Sequence, residues 1–147
     1  MGYFGALDIG ASALTAQRLR MDTISQNIAN VSTTRTENGT PYRRRLVVFE
    51  EKKDGVPFSE YLSASSRELY AGKGVKVARI VEDTSPYKKV YDPGNPDADA
   101  EGYVEMPNID IITEMVNMIS ATRAYEANVT SINTTKNMAL KALEIGK

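Results

Sequence analysis

The 147-residue chain carries 18 Lys and Arg against 19 Asp and Glu, a formal net charge of −1, and it has neither cysteine nor histidine. A near-neutral balance argues against a dedicated nucleic-acid binder, which shows a basic excess, and the two missing residue types remove disulfides, the commonest transition-metal ligands and the commonest general base. An enzyme would have to run on carboxylates, lysine, tyrosine or serine alone; no run approaches the roughly 18 apolar residues of a membrane span, and the length fits one domain.

The opening "MGYFGALDIGASALTAQ" has no basic n-region and no apolar h-region, so no conventional cleaved signal peptide is expected. From there Leu7, Leu14, Met21 and Ile28 recur every seven residues, with Ile24 and Val31 three residues after the last two. Gly10 and Gln17 occupy the corresponding earlier positions and weaken the first half of the seam. The spacing predicts a helix over 5–31. Its end, "SQNIANVSTT" (25–34), places Asn27 and Asn30 beside good apolar positions, although asparagine prefers caps and turns.

The middle of the chain differs. "PYRRRLVVFEEK" (41–52) and "GVKVARIVED" (74–83) are β-branched runs bounded by Gly and Pro, which reads as strands. In Arg43-Arg44-Arg45, alternate residues face opposite sides of a strand, so the triplet cannot form one phosphate patch; a solvated strand face is expected. "SPYKKVYDPGNPDADAEGYVEMP" (85–107) is turn and loop with short extended pieces. Asp92, Asp97, Asp99 and Glu101 invite a calcium reading, but the EF-hand spacing is missing and no metal site is expected. Asn-x-Ser/Thr sequons at Asn30, Asn38, Asn128 and Asn133 read as by-products of Asn/Thr-rich helices. No dinucleotide, Walker or nucleophile-elbow motif is present, so neither a catalytic residue nor a cofactor is expected.

The C-terminal run is the longest pattern. Ile111, Met115, Met118, Thr122, Tyr125, Val129, Ile132, Lys136, Ala139 and Leu143 alternate by four and three, which predicts a helix over 109–145. Pro107-Asn108 suggests Asn108 as N-cap, and Gly146 suits the C-terminal end. Ile112, Val116 and Ile119 form a second apolar stripe beside the first. Met106, Met115, Met118 and Met138 fit either packed core or an adaptable binding surface.

Charge separates the ends from the middle. Residues 1–34 and 106–147 together hold 12 charged residues, whereas 35–105 hold 25. A solvated coiled coil carries Glu and Lys away from its seam; here those positions hold Ser12, Thr15, Ser25, Asn27, Asn117, Ser120, Asn128, Thr130, Asn133 and Thr134. Such helices are buried on more than one side, and in a short chain much of that burial comes from other molecules. The expected class is α+β: long N- and C-terminal helices paired as an antiparallel, coiled-coil-like hairpin, with a small β-rich middle insertion. The corresponding division is a discontinuous helical part (1–34 plus 106–147) and an outer segment (35–105).

"ALDIGASALTAQRLRMDTISQNIANVSTT" resembles the N-terminal motif of the bacterial flagellar rod, hook and hook-associated family, whose core A-N-x-x-T is matched by Ala29, Asn30 and Thr33. The Y-D-P-G-x-P-D-A-D-A-E-G-Y-V segment (91–104) followed by E-M-V-N-M-I (114–119) is similar to the proximal-rod branch of that family. Asn95 departs from the pattern, which carries histidine there. The resemblance implies a non-enzymatic subunit of the periplasm-crossing rod that transmits torque from motor to hook. It implies assembly with copies of itself, other rod proteins and basal-body ring components, and export through the flagellar type III apparatus. The assembly residues expected from the pattern are Leu7, Leu14, Met21, Ile24, Ile28 and Val31 on the first helix. On the second they are Ile111, Ile112, Met115, Val116, Met118, Ile119, Tyr125, Val129, Ile132 and Leu143. A freestanding helical-hairpin dimerisation or adaptor module is the alternative from another class.

Overall fold

The first heptad run folds as helix α1, Tyr3–Ala29, and the second as helix α2, Ile111–Ile145. The computed structural model describes residues 3–52 and 74–145. Between the helices lie β1 (Arg45–Glu51), β2 (Val75–Glu82), β3 (Lys88–Tyr91) and β4 (Tyr103–Met106). The expected α+β class is therefore the observed one. The helices run antiparallel: Asn27 meets Glu114, the Thr122 hydroxyl lies 3.6 Å from Met21 Sδ, and Gly10 faces Ile132. Gly10, a gap in the sequence pattern, is a close-approach position. A Cβ there would stand 2.7 Å from Ile132 Cγ1.

Two separate antiparallel pairs make up the β part, β1 with β2 and β3 with β4. The first is irregular between Val48 and Phe49, where Val48 pairs with Arg79 but Phe49 pairs with Val77. Ala78 is the extra residue of this bulge, which increases local twist. Its far end is held to α1 by Ser12, whose Oγ accepts the Val75 N–H at 3.1 Å while donating to Ile9 O at 2.7 Å. The second pair closes over a turn-rich loop in which Asp99 and Asn95 side chains accept backbone N–H groups. Asp99 Oδ1 takes the N–H groups of Glu101 and Tyr103, and Asn95 Oδ1 takes that of Asp97. Gly102 sits at φ 83°, in the left-handed region, with the Tyr91 ring against it. A side chain there would be strained and would meet the ring.

Helix termini follow capping chemistry, with one correction. Asp110, not Asn108, caps α2: its Oδ2 accepts the Thr113 hydroxyl at 2.6 Å and the Thr113 N–H at 3.3 Å. Those bonds, the hydroxyl first, hold the Asp110 carboxyl below the usual range. Asn108 instead bridges the β segments, as described below. Gly146, proposed as the C-terminal cap, lies outside the described residues. At the end of α1, Asn30 Nδ2 donates to Gln26 O at 2.9 Å, and Asn30 Oδ1 accepts the Thr33 hydroxyl at 3.2 Å. Tyr42 N–H then bonds Thr33 O, which turns the chain back toward β1.

Candidate assembly surface and the polar joint behind it

The inward face of the hairpin is small and partly polar. Ala16, Thr23, Ile24 and Asn27 of α1 are buried, as are Glu114 and Ala121 of α2. The seam residues Leu7, Leu14, Met21, Ile28 and Val31 are half-buried, as are Met118, Tyr125, Val129 and Ile132. Over the first turns of α2 the outward side is apolar. Ile111, Ile112, Met115, Val116 and Ile119 are exposed by 46 to 73%, and Leu143 is exposed nearer the C-terminal end. Met106 and Met118 are half-buried, whereas Met115 and Met138 are exposed. The motif residues Asn30 and Thr33 are half-buried and Ala29 is exposed.

Several of the neutral polar residues that flank this surface turn a donor back onto their own helix. The hydroxyls of Thr15, Thr130, Thr134 and Thr135 donate to the carbonyl four residues back, as does the Asn128 amide. Their donors are satisfied within the helix, so covering them costs little desolvation. A methyl of each threonine is left to pack. Gln17, the other gap in the heptad pattern, differs: its buried Oε1 has no hydrogen-bond partner among the described residues.

Behind the apolar stripe lies a buried polar joint. Asn27 is fully buried; its Nδ2 donates to Glu114 Oε2 and to Arg45 O, both at 2.9 Å, and its Oδ1 accepts Arg45 N–H at 2.9 Å. One amide side chain thus pairs with the backbone of β1 much as a neighbouring strand would. The Tyr42 hydroxyl also donates to Asn27 Oδ1, at 3.3 Å, and burial first of all pushes that phenol up and keeps it a donor. Glu114, 1% exposed, accepts from Arg44 Nε at 2.9 Å and Arg44 Nη2 at 2.6 Å, a charge-assisted pair at low exposure. Arg44 reaches on to Asp83 at 3.6 Å. Asn108 Oδ1 accepts Arg44 N–H, and Asn108 Nδ2 donates to Asp83 O and Ser85 O. Asp83 is held below the usual carboxylate range, chiefly by the Ser85 hydroxyl and N–H, with Arg44 adding to them.

The arginine triplet is accordingly not a plain solvated face. Arg43 lies 4.3 Å from the centre of the Tyr87 ring, Arg44 enters the joint, and Arg45 remains exposed beside Glu82. Sequence reasoning singled out Asn27 but missed Glu114 and Arg44. The available signal was that Glu114 is the one carboxylate between Asp110 and Glu126, on an otherwise apolar stretch.

Paired neutral helices with an apolar outer stripe, tied by a buried joint to a small β part, define a structural protein of the helical-hairpin type. Comparison with known proteins then places it. Residues 7–35 match the family described as flagella basal body rod protein, and residues 100–145 match the flagellar basal body rod FlgEFG protein C-terminal family. The flagellar basal-body rod protein FlgC of Bacillus subtilis is 54% identical over the whole of both chains. That of Borreliella burgdorferi is 48% identical over 99% of this chain and 98% of its own. The Escherichia coli O157:H7 protein of the same name is 44% identical over the whole of both. The chain belongs to the FlgC family of flagellar basal-body rod proteins. It is a structural protein of the basal body, not an enzyme.

Proposed function

We propose that this chain polymerises through the outer faces of α1 and α2 into the periplasmic part of the rod. The observation that carries this reading is the row Ile111, Ile112, Met115, Val116 and Ile119, five large apolar side chains exposed on one side of one helix. Apolar burial contributes about 25 cal/mol per Å², and a contact between unlike faces that does not close into a ring yields a helical filament. The seam residues Leu7, Leu14, Met21, Ile24, Ile28, Val31, Met118, Tyr125, Val129, Ile132 and Leu143 complete the assembly set. The helical part (1–34 plus 106–147) forms the tube wall, and 35–105 faces outward. A rod so built carries torque from motor to hook. Its partners are copies of itself, other rod proteins, ring components and the type III export apparatus through which it leaves the cytoplasm.

The experiment is deletion of the gene and complementation with Ile112→Asp/Val116→Asp. Electron microscopy of isolated basal bodies is expected to find rods restored by the parent chain and absent with the variant. Full rods with the variant would refute the reading. An adaptor module would instead leave rods intact on deletion, and the purified chain would stop at a defined dimer as concentration rises.

A further inference from the structure

The apolar seam does not by itself define how the two helices are aligned. In α1 it repeats at Leu7, Leu14, Met21 and Ile28, and α2 repeats with the same period at the half-buried Met118, Tyr125 and Ile132. A slide by one heptad, about 10.5 Å at 1.5 Å per residue, keeps most apolar positions matched, with Val129 replacing Thr122 beside Met21, although it moves Lys136 into the place that Val129 holds. Because α2 has 35 residues and α1 has 27, a slide toward the C-terminal end of α2 leaves α1 covered. Gly10 does not oppose that direction, since Ala139 would replace Ile132 beside it. The opposite slide would bring the bulkier Tyr125 there.

The permitted slide destroys the polar joint and also displaces Ile109, 2% exposed just before α2. It would set Ala121 against Asn27 and carry Glu114 away from both Asn27 and Arg44, leaving buried polar groups unpaired. Replacing a whole buried ion pair by apolar residues is often neutral or stabilising, whereas separating its partners is strongly destabilising. A polar residue in an apolar seam specifies alignment for that reason. We infer that Asn27, Glu114 and Arg44 are the register-determining residues of the hairpin: they select one of the two alignments that the heptad period of the seam allows. This role holds whatever the hairpin assembles with.

The native chain has no cysteine, so pairs can be introduced without background. In the full-length protein, Met21→Cys with Thr122→Cys reports the native alignment, and Met21→Cys with Val129→Cys reports the slid one. Both are read with a bis-maleimide shorter than one heptad. In the otherwise native chain only the first pair is expected to cross-link. In the Asn27→Leu/Arg44→Met/Glu114→Met background the second pair is expected to become cross-linkable, with helical circular dichroism retained. The bond between Asn108 and the Arg44 backbone stays intact there. Cross-linking confined to the native pair would therefore assign the register to the contacts that remain at the start of α2, that bond and Lys88 Nζ to Ile109 O among them, and overturn the inference. Loss of helical signal, or of both cross-links, in that background would make the joint a source of stability and overturn it equally. So would cross-linking of the slid pair, or failure of the native pair, in the otherwise native chain.

Discussion

The amide of Asn27 donates to Glu114 Oε2 at 2.9 Å and so ties the end of α1 to the start of α2 across 87 positions of sequence. Arg44, the residue before β1, completes the contact. A carboxylate that is 1% exposed is held by three bonds from two side chains, Asn27 and Arg44, with Asn117 adding a long fourth bond at 3.4 Å.

Removing the carboxylate alone is costly. Glu114→Ala leaves Asn27 and Arg44 without their partner, and breaking one side of a buried pair costs about 3–5 kcal/mol. Glu114→Gln, which keeps an acceptor for Asn27, is expected to cost less. Urea unfolding followed by circular dichroism gives both values and their order.

Gln17 offers the opposite case. Gln17→Leu removes a buried acceptor that has no partner among the described residues and adds apolar volume to the seam. A gain of about 1 kcal/mol is expected, read as a higher denaturant midpoint with unchanged slope.

Asn30→Ala deletes the bond to Gln26 O and the acceptor for Thr33 at the exit from α1. Each such bond is worth about 1 kcal/mol net. Modest loss of stability is expected together with a reduced swimming radius in soft agar, because the chain leaves the helix along a less defined path. Undiminished swimming would argue against a role for this joint in assembly.

The pH response of α2 follows from its cap. The Asp110 carboxyl is lowered by its bonds to Thr113. A lowered carboxyl stabilises the folded state fully above the ordinary aspartate value of about 3.9, and that contribution disappears as pH falls through the lowered one. Helical signal is therefore expected to fall below about pH 4, and Asp110→Asn to flatten that step.

The exposed stripe separates folding from assembly. Ile112→Asp changes a side chain that is 73% exposed, so stability is expected to stay within about 0.5 kcal/mol. Incorporation into basal bodies is expected to be lost. Thermal melts and immunoblots of purified basal bodies measure the two separately.

The heptad of Leu7, Leu14, Met21 and Ile28 and the long run from Ile111 determined by themselves that this chain has two helices, because a period near 3.5 has one regular solution. The β-branched runs at 41–52 and 74–83 marked two strands, whose pairing only the tertiary structure decided, and the scarcity of charge marked the helices as surfaces meant to be covered. Tertiary structure decided which polar groups meet. Asn108 looked like a cap because it follows a proline, but Asp110 is closer to the first turn and takes that role, which frees Asn108 to hold Arg44. Glu114 stands out locally only as the one carboxylate between Asp110 and Glu126, which does not say what it meets. Its burial depends on an arginine 70 positions away and an asparagine 87 positions away, and no local pattern encodes a contact whose partners come together only when the helices pair.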